Sequence, residues 1–383
     1  MPRPIPKMEI TISPADDWHH HLRDGEALAT TVPPCAARFA RAIIMPNLVP
    51  PVTTTAAAIA YRERILAALP AGAPPFEPLM TLYLTDSTTA AELRAAKESG
   101  VVHAVKLYPA GATTNSASGV TDVPAMYPVL REMVEIGLPL LVHSEVNDRT
   151  VDIFDREPVF IERVLRPLLE AVPGLRVVME HITTSEAAEF VIGAPAEWAL
   201  GATVTAHHLL FNRNAIFEGG IRPHMYCLPI LKAEKHRRVL VDAVTGPHSS
   251  RFFAGTDSAP HTTLKKYQPC GCAGVYTAHA ALELYAETFA DNGALDKLEP
   301  FLCHNGADFY GLPRNSTVPG ARAPTTLARR AWKVPESYPF DGDRLVPLRA
   351  GQEVAWTLCD ATGDTDTAAA AKRKRDDDAA EGE

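Results

Sequence analysis

Two histidines separated by one residue are the first feature of this chain whose spacing could do chemistry. His19 and His21 lie in the stretch Asp17-Trp-His-His-His-Leu-Arg-Asp-Gly25. If this stretch is a strand, alternate side chains face the same way, so these two imidazoles project together and His20 points away. Paired imidazoles are half of a zinc site, and Arg23, one further step of two along, could hold an anion beside the metal. Because His-x-His pairs are often ordinary surface or core histidines, the rest of the chain has to supply the other half.

Length and charge bound the class of protein. A chain of 383 residues can form one large domain or two ordinary ones, and its net charge of −9 argues against a nucleic-acid partner. No apolar run approaches the ~20 residues that span a bilayer, and the N-terminus lacks the apolar segment of a signal peptide. The sequence therefore predicts a cytoplasmic protein with no membrane partner. Its six cysteines are expected to be reduced, with Cys270-Gly-Cys272 in a tight loop.

The positions of apolar runs predict the fold. Eight such runs alternate with helical patterns up to about residue 300, and we expect strands over Trp18–Leu22, Ala42–Met45, Leu79–Leu84, Val101–Leu107, Leu138–His143, Val177–His181, Gly201–Ala206 and Phe252–Asp257. Eight parallel strands with helical crossovers predict an α/β fold, a (β/α)₈ TIM barrel, with any active site at the C-terminal face of the strands. A doubly wound open sheet is the alternative, but no Gly-x-Gly-x-x-Gly follows the first strand.

The helical patterns lie between these strands. Thr89-Ala-Ala-Glu92 is a capping box, and Gly100 ends the helix that it begins. In Thr53–Leu69 we expect Ile59, Leu66 and Leu69 to face the core. Further helices are expected over Val123–Ile136, Phe160–Ala171, Glu186–Ile192, Lys232–Val244, Tyr276–Asn292 and His304–Leu312.

The C-terminal part departs from this alternation. Ala321–Asp343 is rich in Pro and Arg and is predicted to be irregular, whereas Val354–Leu358 alternates like one extra strand packed against Glu9–Ile12. We expect a single domain over residues 1–360. Residues 361–383 hold no Leu, Ile, Val, Met or aromatic residue, which predicts a disordered charged tail. Within it, Lys372–Arg375 resembles a nuclear-import tetrapeptide, and a solvated charge run explains it equally well.

Ligand-type residues recur where the predicted strands end. Lys106, His143, His181 and Asp257 lie at or near the ends of the fourth, fifth, sixth and eighth strands. Each has an ordinary explanation, as a surface lysine, a core histidine or a helix cap. Together with the histidine pair they occupy five strands of eight at one face of the barrel, which favours a metal site.

The lysine requires a modification to take part. An ammonium has no lone pair for a metal, so Lys106 becomes a ligand only as a carbamate formed with carbon dioxide. The two carbamate oxygens could bridge two metals, between which a hydroxide would be available as a nucleophile at neutral pH. Asp257 could both bind a metal and take the proton of that hydroxide.

These motifs resemble those of the amidohydrolase superfamily, and within it the monofunctional dihydroorotases. The resemblance runs from about residue 9 to about residue 358. It is carried by the Asp17–Gly25 stretch and by Met45–Val52, Lys106–Ala110, Val142–Glu145, Glu180–Thr183, Phe211–Asn214, Arg222–Pro229, Gly255–His261 and Cys270–Gly274.

The resemblance implies roles for individual residues. His19, His21, carbamylated Lys106 and Asp257 would bind the more buried zinc, and Lys106, His143 and His181 the more exposed one. The substrate carboxylate would be held by Arg23, Asn47 and His261, and the ureide edge of its ring by the backbones of Leu228 and Ala273.

The implied activity is the reversible cyclisation of N-carbamoyl-L-aspartate to L-dihydroorotate in pyrimidine biosynthesis, by a homodimer and with Asp257 as general acid and base. Thr113 and Thr114, in the small-residue loop 110–116, are interpreted as a lid over the substrate. A hydantoinase-like or allantoinase-like cyclic-amide hydrolase and a non-catalytic scaffold on the same fold are the alternatives. Two departures from the family pattern are His20, where an apolar residue is expected, and the charged tail, which suggests a eukaryotic source such as a fungus.

Overall fold

The protein is described here by a computed structural model that covers residues 8–359. Eight parallel strands follow one another around a single sheet in chain order, from β2 (Ala15–His20) to β9 (Phe252–Ala254). The sheet closes where the amide of Asp257 donates to the carbonyl of His19 (2.9 Å) and the amide of His21 donates to that of Ser258 (3.2 Å). This confirms the predicted (β/α)₈ barrel. The strands are β1 (Glu9–Ile12), β2 (Ala15–His20), β3 (Phe39–Ile44), β4 (Glu77–Tyr83), β5 (Val102–Leu107), β6 (Leu140–His143), β7 (Val177–Glu180), β8 (Leu200–Val204), β9 (Phe252–Ala254), β10 (Thr325–Ala328), β11 (Trp332–Lys333), β12 (Tyr338–Phe340), β13 (Asp343–Leu345), β14 (Glu353–Val354) and β15 (Thr357–Cys359).

Helices occupy the connections between the strands. The predicted helix ends at Thr89 and Gly100 are present in the structure. The hydroxyl of Thr89 accepts from the amide of Glu92 (3.2 Å) at the start of the helix Ala90–Glu98, and Gly100 follows its end at φ +66°. The carboxylate of Glu92 accepts from the amide of Thr55 (2.6 Å), so half of the capping box instead ties two helices together. The helices are α1 (Leu28–Arg38), α2 (Thr55–Ala67), α3 (Ala90–Glu98), α4 (Tyr127–Glu135), α5 (Arg156–Phe160), α6 (Arg166–Ala171), α7 (Ser185–Ile192), α8 (Ala206–Leu210), α9 (Glu234–Thr245), α10 (Thr263–Tyr267), α11 (Ala281–Asp291) and α12 (Asn305–Tyr310).

Two helical features differ from the sequence-based expectation. Helix α1 was not predicted, because Pro33 and Pro34 lie inside it and this pair normally ends a helix. In α2 the buried residues are Ala58, Tyr61 and Ile65, and the expectation that Ile59 faces the core was wrong. The hydroxyl of Tyr61 donates to the carbonyl of Arg23, which turns the Tyr61 face of the helix inward.

The C-terminal segment is more regular than predicted. Residues 321–343 contain β10, β11 and β12, so the expectation of irregular structure was wrong. Strand β10 lies between β1 and β15 in an antiparallel sheet. The single strand predicted over Val354–Leu358 is divided between β14 and β15, and β10 separates β15 from Glu9–Ile12: Leu358 pairs with Leu327, which in turn pairs with Ile10. The predicted tail over 361–383 lies outside the described residues, and the single domain over 1–360 stays a prediction.

The alternation of side chains along the barrel strands explains why the functional side chains face the barrel interior. Ala104, Leu141 and Val178 are buried in a cluster that also contains Trp18 and Phe253. Two positions further along the same strands stand the residues Lys106, His143 and Glu180, all buried. Side chains two apart on a strand share a face, so these three continue the inward face beyond the apolar cluster. Within 8–359, no helix is long and apolar enough to cross a membrane.

Candidate metal centre and active site

Three predicted ligands meet at the junction of the first and last barrel strands. The Nε2 atoms of His19 and His21 are 3.3 Å apart, and Asp257 Oδ1 lies 3.4 Å from the first and 3.0 Å from the second. Ligands bound tetrahedrally at 2.0–2.1 Å are separated by about 3.3–3.4 Å. The three donor atoms therefore have the spacing of one face of a metal coordination shell, and they are called the metal-binding face below.

Outer hydrogen bonds hold this face in place. The Nδ1 atom of His19 lies 2.8 Å from Glu180 Oε2, which also accepts from the hydroxyl of Thr203 at 2.6 Å. This arrangement leaves Nε2 of His19 free for a metal, as in carboxylate–histidine–zinc units. Burial, and then the charge of Lys106, lower the pKa of His19 to about 3, so its imidazole is neutral and keeps a lone pair.

A second group of predicted ligands lies against the first. The ring centroid of His181 is 4.8 Å from that of His19 and 5.0 Å from that of His143. The Nε2 atom of His143 lies 2.9 Å from Glu145 Oε2, so Nδ1 is the nitrogen left for a metal. Lys106 is fully buried with its Nζ 5.0 Å from the ring centroid of Tyr108, and burial lowers its pKa to about 8.

The unpartnered groups at this position fit metal ions and a modified lysine. Lys106 Nζ, His181 Nδ1 and Glu180 Oε1 are buried without a hydrogen-bond partner, a situation that buried polar groups rarely tolerate. Burial raises the pKa of Glu180 to about 8, and divalent cations are what would keep this carboxylate ionised. The nitrogen and oxygen donors present are those that zinc prefers. A carbamate on Lys106 would place two additional oxygen donors at this position, where they could bind metal ions.

Three residues of the predicted site, each shortly after a barrel strand, have an unusual backbone conformation. Arg23, His181 and Asp257 have φ values of +61°, +41° and +43°. Non-glycine residues seldom adopt this left-handed region, which costs of order 1–3 kcal/mol and is found at functional sites. Three residues of the predicted site thus take up conformations that only their surroundings can stabilise.

The predicted carboxylate-binding residues lie beside the metal-binding face. Arg23 Nε donates to the carbonyl of Pro260 (3.0 Å), and its Nη2 lies 3.0 Å from Nε2 of His261. Asn47 donates to the carbonyl of Thr114 (3.3 Å). A planar guanidinium beside an imidazole and an amide is suited to a carboxylate. Arg23 and Asn47 line the same pocket as the ligands, together with His19, His21, Thr113, Thr114, His143, His181, Leu228, Asp257 and Ala273; His261 lines the adjoining outer pocket.

The two backbone segments predicted to read the ring are joined by a buried lysine. Lys266 Nζ donates to the carbonyls of Tyr226 (2.9 Å), Cys272 (2.8 Å) and Gly274 (2.9 Å). These bonds connect the segment before Leu228 to the segment that contains Ala273. At Gly274, with φ +152°, a Cβ would lie 2.5 Å from the carbonyl of Ala259, so only glycine allows this close approach.

The loop predicted to be a lid lies over the pocket. The hydroxyl of Thr114 donates to the carbonyl of Ala273 (3.4 Å), and Asn115 donates to the carbonyl of Asn47 (3.1 Å). Ala112 is buried, and the hydroxyl of Ser116 accepts from the amide of Thr113 (2.9 Å). The loop is therefore held by more contacts than its small residues suggested.

The remaining residues of the first motif have structural contacts. Asp17 accepts from the amide of Thr256 (2.8 Å) and from its hydroxyl (2.6 Å), which joins β2 to the segment after β9. His20 points away from the metal ligands, as predicted, with its Nδ1 2.7 Å from Asp17. Burial opposes a charge there, but Cys35 and Asp17 raise the pKa of His20 to about 10. A histidine at this position is thus accommodated by an ionic contact.

Sequence reasoning missed the supporting residues Glu180, Glu145, Tyr108 and Lys266. The first two lie within quoted motifs, one residue before His181 and two after His143, and Tyr108 lies two positions after Lys106. Their spacing to predicted ligands was the available signal. Lys266 carried none, because its contact with Tyr226, 40 residues earlier, depends on the tertiary fold, and its two nearer partners are backbone carbonyls that no side-chain pattern reveals.

Comparisons with known proteins agree with this geometry. Residues 12–318 match the sequence profile of the amidohydrolase family. A dihydroorotase from Laribacter hongkongensis is 60% identical over 349 residues, which cover 91% of this chain and 99% of that protein. The crystal structure of a dihydroorotase from Saccharomyces cerevisiae in complex with 5-fluoroorotic acid has a TM-score of 0.82 and 30% identity, over 91% of this chain and 98% of that one.

A more distant structure shares the fold alone. An L-hydantoinase from Arthrobacter aurescens has a TM-score of 0.75 but 16% identity, over 94% of this chain and 87% of that one. The bacterial relative is twice as similar to this chain as the yeast protein, so a fungal source is not supported. The extent and level of these similarities show that the chain belongs to the amidohydrolase family and, within it, to the dihydroorotases.

Proposed function

We propose that this dihydroorotase interconverts N-carbamoyl-L-aspartate and L-dihydroorotate at the site formed by His19, His21, Lys106 and Asp257. The observation that carries the proposal is the convergence of three metal-donor atoms, 3.0–3.4 Å apart, in one pocket with a guanidinium and an amide. A hydrolytic centre beside a carboxylate-binding group matches a cyclic amide that bears a carboxylate.

The proposed cofactor is a pair of zinc ions bridged by a carbamate on Lys106. The deeper ion would be held by His19, His21, Lys106 and Asp257, and the outer one by Lys106, His143 and His181. When bound, these ions would polarise the ring amide carbonyl and make a water-derived nucleophile available at neutral pH. The burial and missing partners of Lys106 Nζ and His181 Nδ1 support this assignment.

The chain's own residues then bind, orient and move protons. Arg23, with Asn47 and His261, would hold the substrate carboxylate, and the backbones of Leu228 and Ala273 the ureide edge. In ring opening, Asp257 would take the proton of the attacking water and pass it to the ring nitrogen as the C–N bond breaks. In ring closure the carbamoyl nitrogen attacks the carboxyl carbon, Asp257 moves its proton from that nitrogen to the departing oxygen, and a second proton taken up from solvent completes the water that leaves.

The position of Asp257 supports this double role. Its Oδ1 lies in the metal-binding face, and its side chain also lines the substrate pocket. Thr113 and Thr114 line the same pocket from the loop above it and would exclude water when substrate is bound. A homodimer, a cytoplasmic location and the import-like role of Lys372–Arg375 stay predictions.

The test is a pair of assays on the purified protein, with metal content measured in the same preparation. Asp257→Asn keeps an oxygen that can face a metal but cannot accept a proton, so ring opening and ring closure should fall together by at least 100-fold, within the typical range for a general acid–base. Asp291→Asn, at the exposed C-terminal end of α11, is the matched control. Loss of one direction alone, or hydrolysis of hydantoin in preference to dihydroorotate, would contradict the proposal.

A further inference from the structure

Three further side chains of types that can bind a metal lie together near the C-terminal end of β8. His207 and His208 belong to α8, immediately after β8, and Cys227 lies in the segment that leads to Leu228. One donor atom from each lies within 4.8 Å of the others. All three side chains are buried, and none of them is a ligand of the centre described above.

His207 is the member that ordinary packing does not explain. It is fully buried, and neither Nδ1 nor Nε2 has a hydrogen-bond partner. A neutral imidazole carries one donor and one acceptor, and leaving such groups unpaired in the interior costs about 1–3 kcal/mol each. Its ring centroid lies 4.4 Å from that of His208, so its nitrogens are within reach of a shared ligand.

The other donors already have the spacing of a coordination shell. His208 Nε2 lies 3.8 Å from Cys227 Sγ, and the carbonyl oxygen of Pro229 lies 3.0 Å from that nitrogen and 3.3 Å from that sulfur. In a tetrahedral zinc site the edges to sulfur are about 3.6 Å and the edge between nitrogen and oxygen is about 3.4 Å, so the three distances lie within about 0.4 Å of those of a coordination shell. The backbone carbonyl therefore stands where a fourth ligand would be.

A second hydrogen bond orients the site. His208 Nδ1 lies 2.7 Å from the hydroxyl of Thr205, which also accepts from the amide of His208 (3.1 Å). A partner on Nδ1 fixes the ring and directs Nε2 towards the cluster, as outer ligands do in zinc sites.

We propose that His207, His208, Cys227 and the carbonyl of Pro229 bind one additional divalent ion of the zinc class. On binding, the Sγ–H bond of Cys227 breaks, its proton leaves to solvent and a Sγ–metal bond forms. Two histidines, one thiolate and one oxygen are a ligand set for zinc or its cobalt substitute. Because Cys227 and Pro229 flank Leu228, the ion fixes the turn that faces the substrate pocket. The inference does not depend on the roles assigned above to the binuclear centre.

Cobalt substitution gives a signal that the binuclear centre cannot produce. The ligands proposed for that centre include no cysteine, so a thiolate-to-cobalt charge-transfer band in the near ultraviolet reports the additional site alone. Full-length protein is stripped with a chelator, reloaded with Co²⁺ and measured by absorption and metal analysis. Cys270→Ser and Cys272→Ser are combined throughout, because those two cysteines are partly or fully exposed.

In this background we expect the charge-transfer band and one more metal equivalent per chain than in the variant that also lacks Cys227. Adding Cys227→Ser should abolish the band and one equivalent, whereas Cys303→Ser, which removes a buried cysteine elsewhere, should leave both unchanged. A background protein with no band, or a band that survives Cys227→Ser, would overturn the proposal.

His207→Phe separates metal binding from folding. Phenylalanine keeps a ring without the unpartnered nitrogens, so the metal-free variant should melt no lower than the metal-free parent. Cobalt should then stabilise the variant less than the parent, because binding to the native state raises the melting temperature in proportion to affinity. Equal stabilisation of both proteins by cobalt would show that His207 binds no metal.

Discussion

Replacing Glu180 by glutamine tests how the protein holds its first metal. Glu180 is fully buried, and its Oε2 contacts His19 Nδ1 at 2.8 Å and the hydroxyl of Thr203 at 2.6 Å. Glutamine has the same shape and can keep one of these contacts. It removes the negative charge that would increase the basicity of His19 as a metal ligand.

The expected loss follows from that geometry. Removing an outer partner of a ligating histidine lowers metal affinity by about 10–100-fold, which corresponds to about 1.4–2.7 kcal/mol. We expect the upper part of this range, because the contact is short and excluded from water, where charge-assisted bonds are strongest.

The assay is a chelator competition on purified protein, with each metal equivalent followed separately. Glu180→Gln should weaken the ion at His19, whereas Glu145→Gln, which changes the partner of His143 at 2.9 Å, should weaken the other. Glu287→Gln is the matched control, since this buried carboxylate accepts from Arg349 and contacts none of the proposed metal ligands. Unchanged affinities in Glu180→Gln would refute the reasoning, and an equal loss in Glu287→Gln would indicate general destabilisation.

Three further predictions concern the lysine, the lid and a remote histidine. Lys106→Ala should lose most bound metal and activity, and short carboxylic acids should restore part of the rate; full metal occupancy would exclude a carbamate bridge. Thr113→Ala with Thr114→Ala should lower kcat at normal metal content in steady-state assays, because each hydroxyl bond is worth about 1 kcal/mol; an unchanged kcat would make the loop a mere connection. Burial, and then the charge of Arg38, lower the pKa of His279 from 6.5 to about 3. Below pH 6.5 the unfolded chain therefore binds a proton that the folded chain does not, so the free energy of unfolding decreases as the pH is lowered. Between pH 7.5 and 5 the parent should lose about 2 kcal/mol more unfolding free energy than His279→Phe in denaturant titrations; parallel losses would contradict this.

The sequence by itself determined the elements whose signals are local. Apolar runs marked the eight strands, and ligand-type residues at strand ends marked the site, because a parallel barrel brings all those ends to one face. Period-two alternation placed His19 and His21 together, and they lie 3.3 Å apart. A threonine before a helix and a glycine after it located the ends of α3 for the same local reason.

Only the tertiary structure decided features that depend on distant partners. Helix α1 holds two prolines because packing compensates for a weak local preference. The short strand β10 forms because β1 and β15, far away in sequence, pair with its two edges. Lys266 bonds the carbonyl of Tyr226, 40 residues earlier in the chain, and the His207 cluster includes Cys227 from another segment, contacts that no sequence spacing predicts. Local signals therefore predicted which residues form the candidate site, whereas long-range contacts determine how those residues are supported, since burial and hydrogen-bond partners exist only in the folded chain.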